Sequence, residues 1–252
     1  MKDISFEFGI NTIQLDSWED FFKHINEYLE QAHFVWRGQA NSEWLLEPTL
    51  DRLLKNIKKI DDPSVVKSHL KNFKYAIRGR RNSTSKLKND NDWWALGQHN
   101  GLYTPLLDWT KSPFIAAFFA FSSEIENNSE NRVLFGISKS TFERKSEKIL
   151  SDNPSKEIIE FIEPLSDENM RLINQGGLFT KTKTGIDIES WMKNNFNEKE
   201  NKIRMLKFLI PNDERSKVLK SLNRMNINYS SLFPDIIGAS IFVNSNLEIT
   251  NY

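Results

Sequence analysis

His99-Asn-Gly-Leu-Tyr-Thr-Pro-Leu-Leu-Asp-Trp-Thr-Lys-Ser-Pro-Phe-Ile-Ala-Ala-Phe-Phe-Ala120 decides how this chain is read. Thr104 to Trp109 predicts a strand. Ser112 followed by Pro113 predicts the cap and first position of a helix running to Ser122. That helix has almost no polar face, so it must be buried. Polar side chains placed that close to a buried helix belong at the wall of a pocket, where a ligand is both desolvated and hydrogen-bonded. A structural turn needs Gly, Pro and Asp, but has no use for His99, Trp109 and Thr110 as well.

Working outward, Ser17 precedes an amphipathic helix with Trp18, Phe21, Phe22, Ile25, Tyr28 and Leu29 on one face. Phe34-Val-Trp36 predicts a short buried strand ended by Arg37-Gly38. Helices are expected over 49–60 and 64–77, then an exposed loop over 78–85, before Trp93-Trp-Ala-Leu96 resumes apolar structure. Downstream, Arg132 to Ser138, Leu178 to Thr182 and Ile203 to Ile210 predict strands. Ser155 to Phe161 predicts a helix, Val218 to Met225 another, and Ile236 to Val243 is the last apolar stretch. Strands separated by unequal helical inserts give an α+β fold with a mixed central sheet. The candidate linkers, 127–131 and 194–201, do not divide it, so 1–252 is expected to be a single domain.

Eighteen Phe and seven Trp in 252 residues supply a substantial core. The 34 basic and 34 acidic residues cancel, yet residues 52–89 hold twelve Lys or Arg against Asp61 and Asp62 alone. This helical insert therefore carries +10 and the remainder −10. It either offers a polyanion one cationic face or docks on the chain's own acidic surface. Arg78, Arg80, Arg81 and Lys86 are its candidate nucleic-acid contacts. The absence of cysteine excludes disulfides and thiolate chemistry. Charges break the N-terminal apolar run and the longest apolar stretch is too short to span a bilayer, so a cytoplasmic protein without membrane contact is expected. No Gly-rich phosphate loop, paired-His metal spacing or nucleophile elbow is present, which leaves kinase, metallohydrolase and serine-hydrolase readings without support and predicts no metal.

Four blocks in order carry a family resemblance: Phe34-Val-Trp-Arg-Gly-Gln39; Gln98 through Pro113; Arg171 with Gln175-Gly-Gly-Leu-Phe-Thr180; and Leu232-Phe-Pro-Asp235. Together they resemble the FRG domain. The chain departs from that pattern at Tyr103-Thr104-Pro105, where the family more often has Pro before the Thr and a basic residue after it. The pattern is in turn similar to ADP-ribosyltransferases, which implies an ADP-ribosyltransferase-like fold with NAD as co-substrate. FRG proteins also resemble toxins of bacterial phage-defence and toxin–antitoxin modules. That resemblance implies modification of nucleic acid, messenger RNA above all, and a protein antitoxin or chaperone as partner.

The resemblance sets Arg37 as the first catalytic element, Thr110-Lys-Ser112 as the Ser/Thr element and Gln175 as the third, with Glu168 as the nearest acidic alternative. Cleaving the nicotinamide bond passes through an oxocarbenium-like state that hydrogen bonds to the ribose stabilise. Arg37 suits phosphate or ribose oxygens, and Gly38 would let backbone approach the ligand. His99 would donate to a ribose hydroxyl or a phosphate; Tyr103 would stack on nicotinamide; Thr104, Thr110, Ser112 and Phe179 would complete the cofactor contacts. Asp108 either acts in catalysis or orients Arg37 and caps the 110–112 turn. Ser112 doubles as helix cap, while Trp109 reads as core. Gln175 can bind ribose but cannot act as a base. The alternatives are an RNA-binding or nuclease-like toxin module that does not use NAD, and a protein-interaction domain.

Overall fold

The computed structural model describes residues 2–29, 34–81, 86–123, 129–164, 170–198, 201–250 and 252. Its strands are β1 (Lys2–Glu7), β2 (Ile10–Gln14), β3 (Phe34–Gln39), β4 (Leu106–Thr110), β5 (Asn131–Ser138), β6 (Glu160–Ile162), β7 (Gly177–Lys181) and β8 (Met205–Pro211). The helices before β5 are α1 (Trp18–Leu29), α2 (Thr49–Asn56), α3 (Pro63–Ala76), α4 (Asp90–His99) and α5 (Pro113–Ser122). Those after it are α6 (Lys139–Asp152), α7 (Met170–Asn174), α8 (Ile188–Asn195), α9 (Arg215–Arg224), α10 (Tyr229–Leu232) and α11 (Ile236–Glu248). The strands form one sheet in the order β1-β2-β8-β5-β3-β4-β7-β6. Only β2 and β8 run parallel; the other pairs are antiparallel. The fold is α+β with a mixed sheet.

Alternation along β5 explains the layers. Leu134 joins Trp36, Leu206 and Phe208 in a core filled by Trp18 and Phe21 of α1, Phe118 and Phe121 of α5, and Val218 and Leu222 of α9. Val133, Phe135 and Ile137 point to the other face, where Phe142 of α6 and Trp191 and Met192 of α8 cover them. A third cluster joins Leu50, Leu54, Leu70 and Trp94 of α2, α3 and α4 to Leu106 and Phe179. Each fully buried aromatic or aliphatic side chain contributes about 1.5–3 kcal/mol, so three such clusters hold a large sheet without cysteine.

Helix α5 has no polar face because nearly every side is covered. The Ser112 Oγ accepts from the Ile115 N–H at 3.3 Å and Pro113 opens the first turn, as the sequence predicts. Its backbone lies directly against Gly38, where a Cβ would overlap the Ala116 carbonyl oxygen. Gly38 is therefore required by helix–strand packing. Gly38→Ala is expected to lower stability by about 3 kcal/mol or more, since neither backbone can yield cheaply. Urea unfolding measures this, and a loss under about 0.5 kcal/mol would contradict the packing.

Several elements differ from expectation. Strand β3 does not stop at Trp36: Arg37, Gly38 and Gln39 continue the ladder with Phe135, Leu134 and Val133. The helix expected over 155–161 is a turn followed by β6. The Ser146 Oγ of α6 donates to the Ile159 carbonyl and accepts from the Ile159 N–H at 3.0 and 3.3 Å, holding that segment extended. The β1–β2 hairpin and α6 carry no strong apolar period and were not expected. Residues 82–85 of the expected loop, 127–128 and 199–200 of the candidate linkers, and Glu168 lie outside the described residues. Among the described residues no helix is long and apolar enough to cross a membrane.

The basic insert forms α2 and α3 much as predicted. Lys55 pairs with Glu47, and Lys74 with Asp90 at 2.6 Å. Arg52, Lys58, Lys59, Lys67, Lys71, Arg78, Arg80, Lys86 and Lys88 are exposed, so the insert does not bury its charge on the acidic remainder.

Candidate active site

The sheet is nearly cut in two between β3 and β4. These neighbours share one register pair, Trp36 with Thr110, whereas β3 pairs with β5 over six residues and β4 with β7 over five. Beyond that pair the strands diverge and leave a cleft of about 370 Å³. Its walls come from Trp36 to Gly38 of β3, Asp108 to Thr110 of β4, Gln98 and His99 of α4, Ala116 and Phe119 of α5, and Arg171, Leu172 and Gln175 around α7. Gly177 to Phe179 of β7 and Phe233 complete the lining. A split sheet exposes strand edges that would otherwise pair, so polar ligands find backbone groups as well as side chains.

Arg37 spans the split. Its Nη1 donates to the Asp108 carbonyl at 2.9 Å, and the Asp108 carboxylate stands 3.8 Å away. The Nε is buried without a hydrogen-bond partner. Burial pulls the Arg37 pKa below its ordinary value, nearby Arg52 adds to this, and Asp108 opposes it. A buried cation with an unmet donor is costly unless an anionic ligand completes it. The Asp108 side chain is 62% exposed and carries its charge at the mouth.

His99 ends α4 at the same cleft. Burial, reinforced by Arg171, holds its pKa below the ordinary imidazole value, while Asp235 pulls it back up. The ring is therefore neutral at pH 7. The unfolded chain takes up this proton at about pH 6.5 while the folded chain does not, so stability is present above that pH and declines as pH falls below it. His99→Gln is expected to flatten this part of the stability–pH curve, and Arg171→Ala to raise the imidazole pKa. NMR titration of the ring reads the second effect directly; an unchanged pKa in Arg171→Ala would contradict the arrangement.

Gln175 also lines the cleft. Its Nε2 donates to the Leu232 carbonyl at 3.2 Å, and its backbone carbonyl accepts from Thr110 Oγ1 at 2.6 Å. Thr110 Oγ1 also accepts from the Ser112 N–H at 3.1 Å, so the Ser/Thr element ties β4 to the turn before β7. Phe179 is 3% exposed and lines the floor from the third core cluster.

Arg37, Gly38, His99, Asp108, Thr110, Gln175 and Phe179 thus meet at one cleft. Tyr103, Thr104 and Ser112 are not among the residues that line it. Tyr103 is 52% exposed on the loop before β4, away from the cleft walls. Thr104 is fully buried, its hydroxyl bonded to Gln98 Oε1 and its N–H directed at Thr49 Oγ1. The Ser112 hydroxyl is used as the α5 cap. Arg78 and Arg81 lie at the far end of α4 from His99, stacked over Tyr75 and Trp93. Arg80 and Lys86 are exposed beside them.

Arg171, Phe119 and Phe233 join the cleft without having been singled out as site residues. Arg171 forks onto Asp235 through Nε, at 2.8 Å, and Nη2, and lies 5.2 Å over the Phe233 ring. Their signal was present in the quoted Arg171 and Leu232-Phe-Pro-Asp235 blocks, but no local spacing joins two segments that far apart. Among the described residues no cluster of three or more His, Asp or Glu side chains is placed to hold a metal.

No curated protein and no solved structure matches the chain. The family model of the FRG domain matches residues 32–129. The segment that carries β3, α4, β4 and α5, and with them Arg37, His99 and Asp108, is therefore similar to an FRG domain.

Proposed function

We propose that the cleft between β3 and β4 binds NAD and that the protein transfers ADP-ribose to nucleic acid, RNA in particular, as a toxin-like effector of phage defence. The observation that carries this reading is the convergence of Arg37, His99, Asp108 and Gln175, from four separate segments, on one cleft with a buried guanidinium whose Nε has no partner. A cleft of about 370 Å³ takes part of a dinucleotide, with Phe119, Phe179 and Phe233 as apolar walls for an aromatic ring. Arg37 offers its fork to the pyrophosphate or the ribose oxygens. In the transfer, the bond from ribose C1′ to the nicotinamide nitrogen breaks and nicotinamide keeps the electron pair. A nucleophile of the acceptor then bonds to C1′ and gives up its proton to water. Asp108 supplies the negative charge that favours the developing oxocarbenium, and Gln175 lines the same cleft.

A second reading is a nucleotide-gripping module without transfer. It is favoured by the Gln175 amide being committed to Leu232, which leaves Asp108 as the acidic group lining the cleft. Incubation with NAD labelled on its adenylate half, in separate RNA, DNA and protein pools, decides between them. Transfer predicts label on RNA with an equal release of nicotinamide. Bound but intact NAD, with no label in any pool, supports the second reading, and failure to bind NAD removes the first.

A further inference from the structure

Helix α3 carries Lys67, Lys71 and Lys74 at spacings of four and three, the period that sets side chains in one row, and Arg78 follows just past its end. The row spans about 16 Å at the helical rise. Among the described residues Lys67 and Lys71 are exposed and make no ion pair. Tyr75 stands in this row, 52% exposed, with the Lys71 ammonium 5.9 Å and the Arg78 guanidinium 4.8 Å from its ring centre. Lys74 lies 5.4 Å over Trp93 on the adjoining α4. The side of α3 that adjoins this row is spent on the core through Leu70, with Val65 and Val66 packed against it.

We infer that this row, with Tyr75 at its centre, is a docking face for single-stranded nucleic acid. A row of cations alone would serve any polyanion. An exposed aromatic ring with two flexible cations over it adds a platform on which an unstacked base can lie in their place while those cations meet the neighbouring phosphates. A duplex keeps its bases stacked inside and an acidic peptide has no base to offer, so neither uses the ring in this way. From Trp93 to His99, α4 covers about 9 Å along its axis, so a strand on this face lies within a few nucleotides of the cleft. The inference names where the nucleic-acid acceptor docks and thus rests on the proposed function.

The test is fluorescence anisotropy of labelled 20-mers, single-stranded RNA and DNA and the matching duplexes, over a range of salt, with polyglutamate as competitor. Single strands are expected to bind more tightly than duplexes. Tyr75→Ala should weaken single-strand binding by roughly fivefold to a hundredfold. The double variant Lys67→Ala/Lys71→Ala should reduce the salt slope by about one to two. NAD affinity should stay unchanged in both. Wild-type affinity in Tyr75→Ala, tighter binding of duplex, or displacement by polyglutamate regardless of Tyr75 would each overturn the inference, the last in favour of an acidic protein. Tyr75-dependent strand binding without ADP-ribosyl transfer would leave this face standing and remove the proposed function; transfer that ignores Tyr75 would do the reverse.

Discussion

Arg37→Ala is expected to lose NAD affinity by at least about thirtyfold while its melting temperature stays level or rises slightly. The two halves of this result have one cause. The guanidinium is largely buried, its Nε has no partner and its pKa is pulled down by desolvation, so the fold holds this charge at a cost. Removing a group of that kind relieves the free protein, whereas removing a buried charged contact to an anion typically costs about 2–5 kcal/mol of binding. A structural arginine would behave oppositely, with a large drop in melting temperature and ligand affinity lost only through unfolding. Calorimetric titration with NAD and a thermal melt on one preparation separate the cases.

Asp108→Asn is expected to cut turnover about a hundredfold with NAD affinity within a few fold of wild type. The substitution isolates the charge. Arg37 is held through the Asp108 backbone carbonyl, which asparagine keeps, and the carboxylate stands 3.8 Å off. The shape of the cleft and the seat of Arg37 should both survive. What disappears is the negative charge lining the mouth, and with it the stabilisation of positive charge developing on ribose. Single-turnover measurement of nicotinamide release tests this. Unchanged turnover would restrict Asp108 to orienting Arg37, and a large loss of affinity would show that the carboxylate seats Arg37 after all.

The elements nearest the cleft were the most legible in the sequence. Ser112-Pro113 and the apolar run behind it specify α5 locally, and the closest approach of α5 to β3 falls on Gly38, a position already marked by its neighbour Arg37. His99 and Asp108 stand out because polar residues beside a buried helix have few other uses, whereas Gln175 is marked only by the family resemblance. Local pattern failed where tertiary bonding decides. Ser146 fixes 158–159 as extended, and the register of β3 against β5 carries Arg37 into the sheet, where it seemed to end a strand. The split between β3 and β4 has no local signature at all, since it is the absence of pairing between two strands about seventy residues apart. The same distance hid Arg171 and Phe233. Tyr103, Thr104 and Ser112 sit in the same motif but do not line the cleft: Tyr103 is exposed on a loop, Thr104 is bonded to Gln98 and Ser112 caps α5.

The measurement that bears most directly on the central claim is a structure of the wild-type protein determined with NAD bound. NAD is expected in the cleft between β3 and β4, with an anionic or ribose oxygen within hydrogen-bond distance of the Arg37 guanidinium and an aromatic ring against the Phe119, Phe179 and Phe233 walls. NAD seated elsewhere on the molecule, or a cleft that stays closed to it at saturating concentration with Arg37 still on the Asp108 carbonyl, would contradict it.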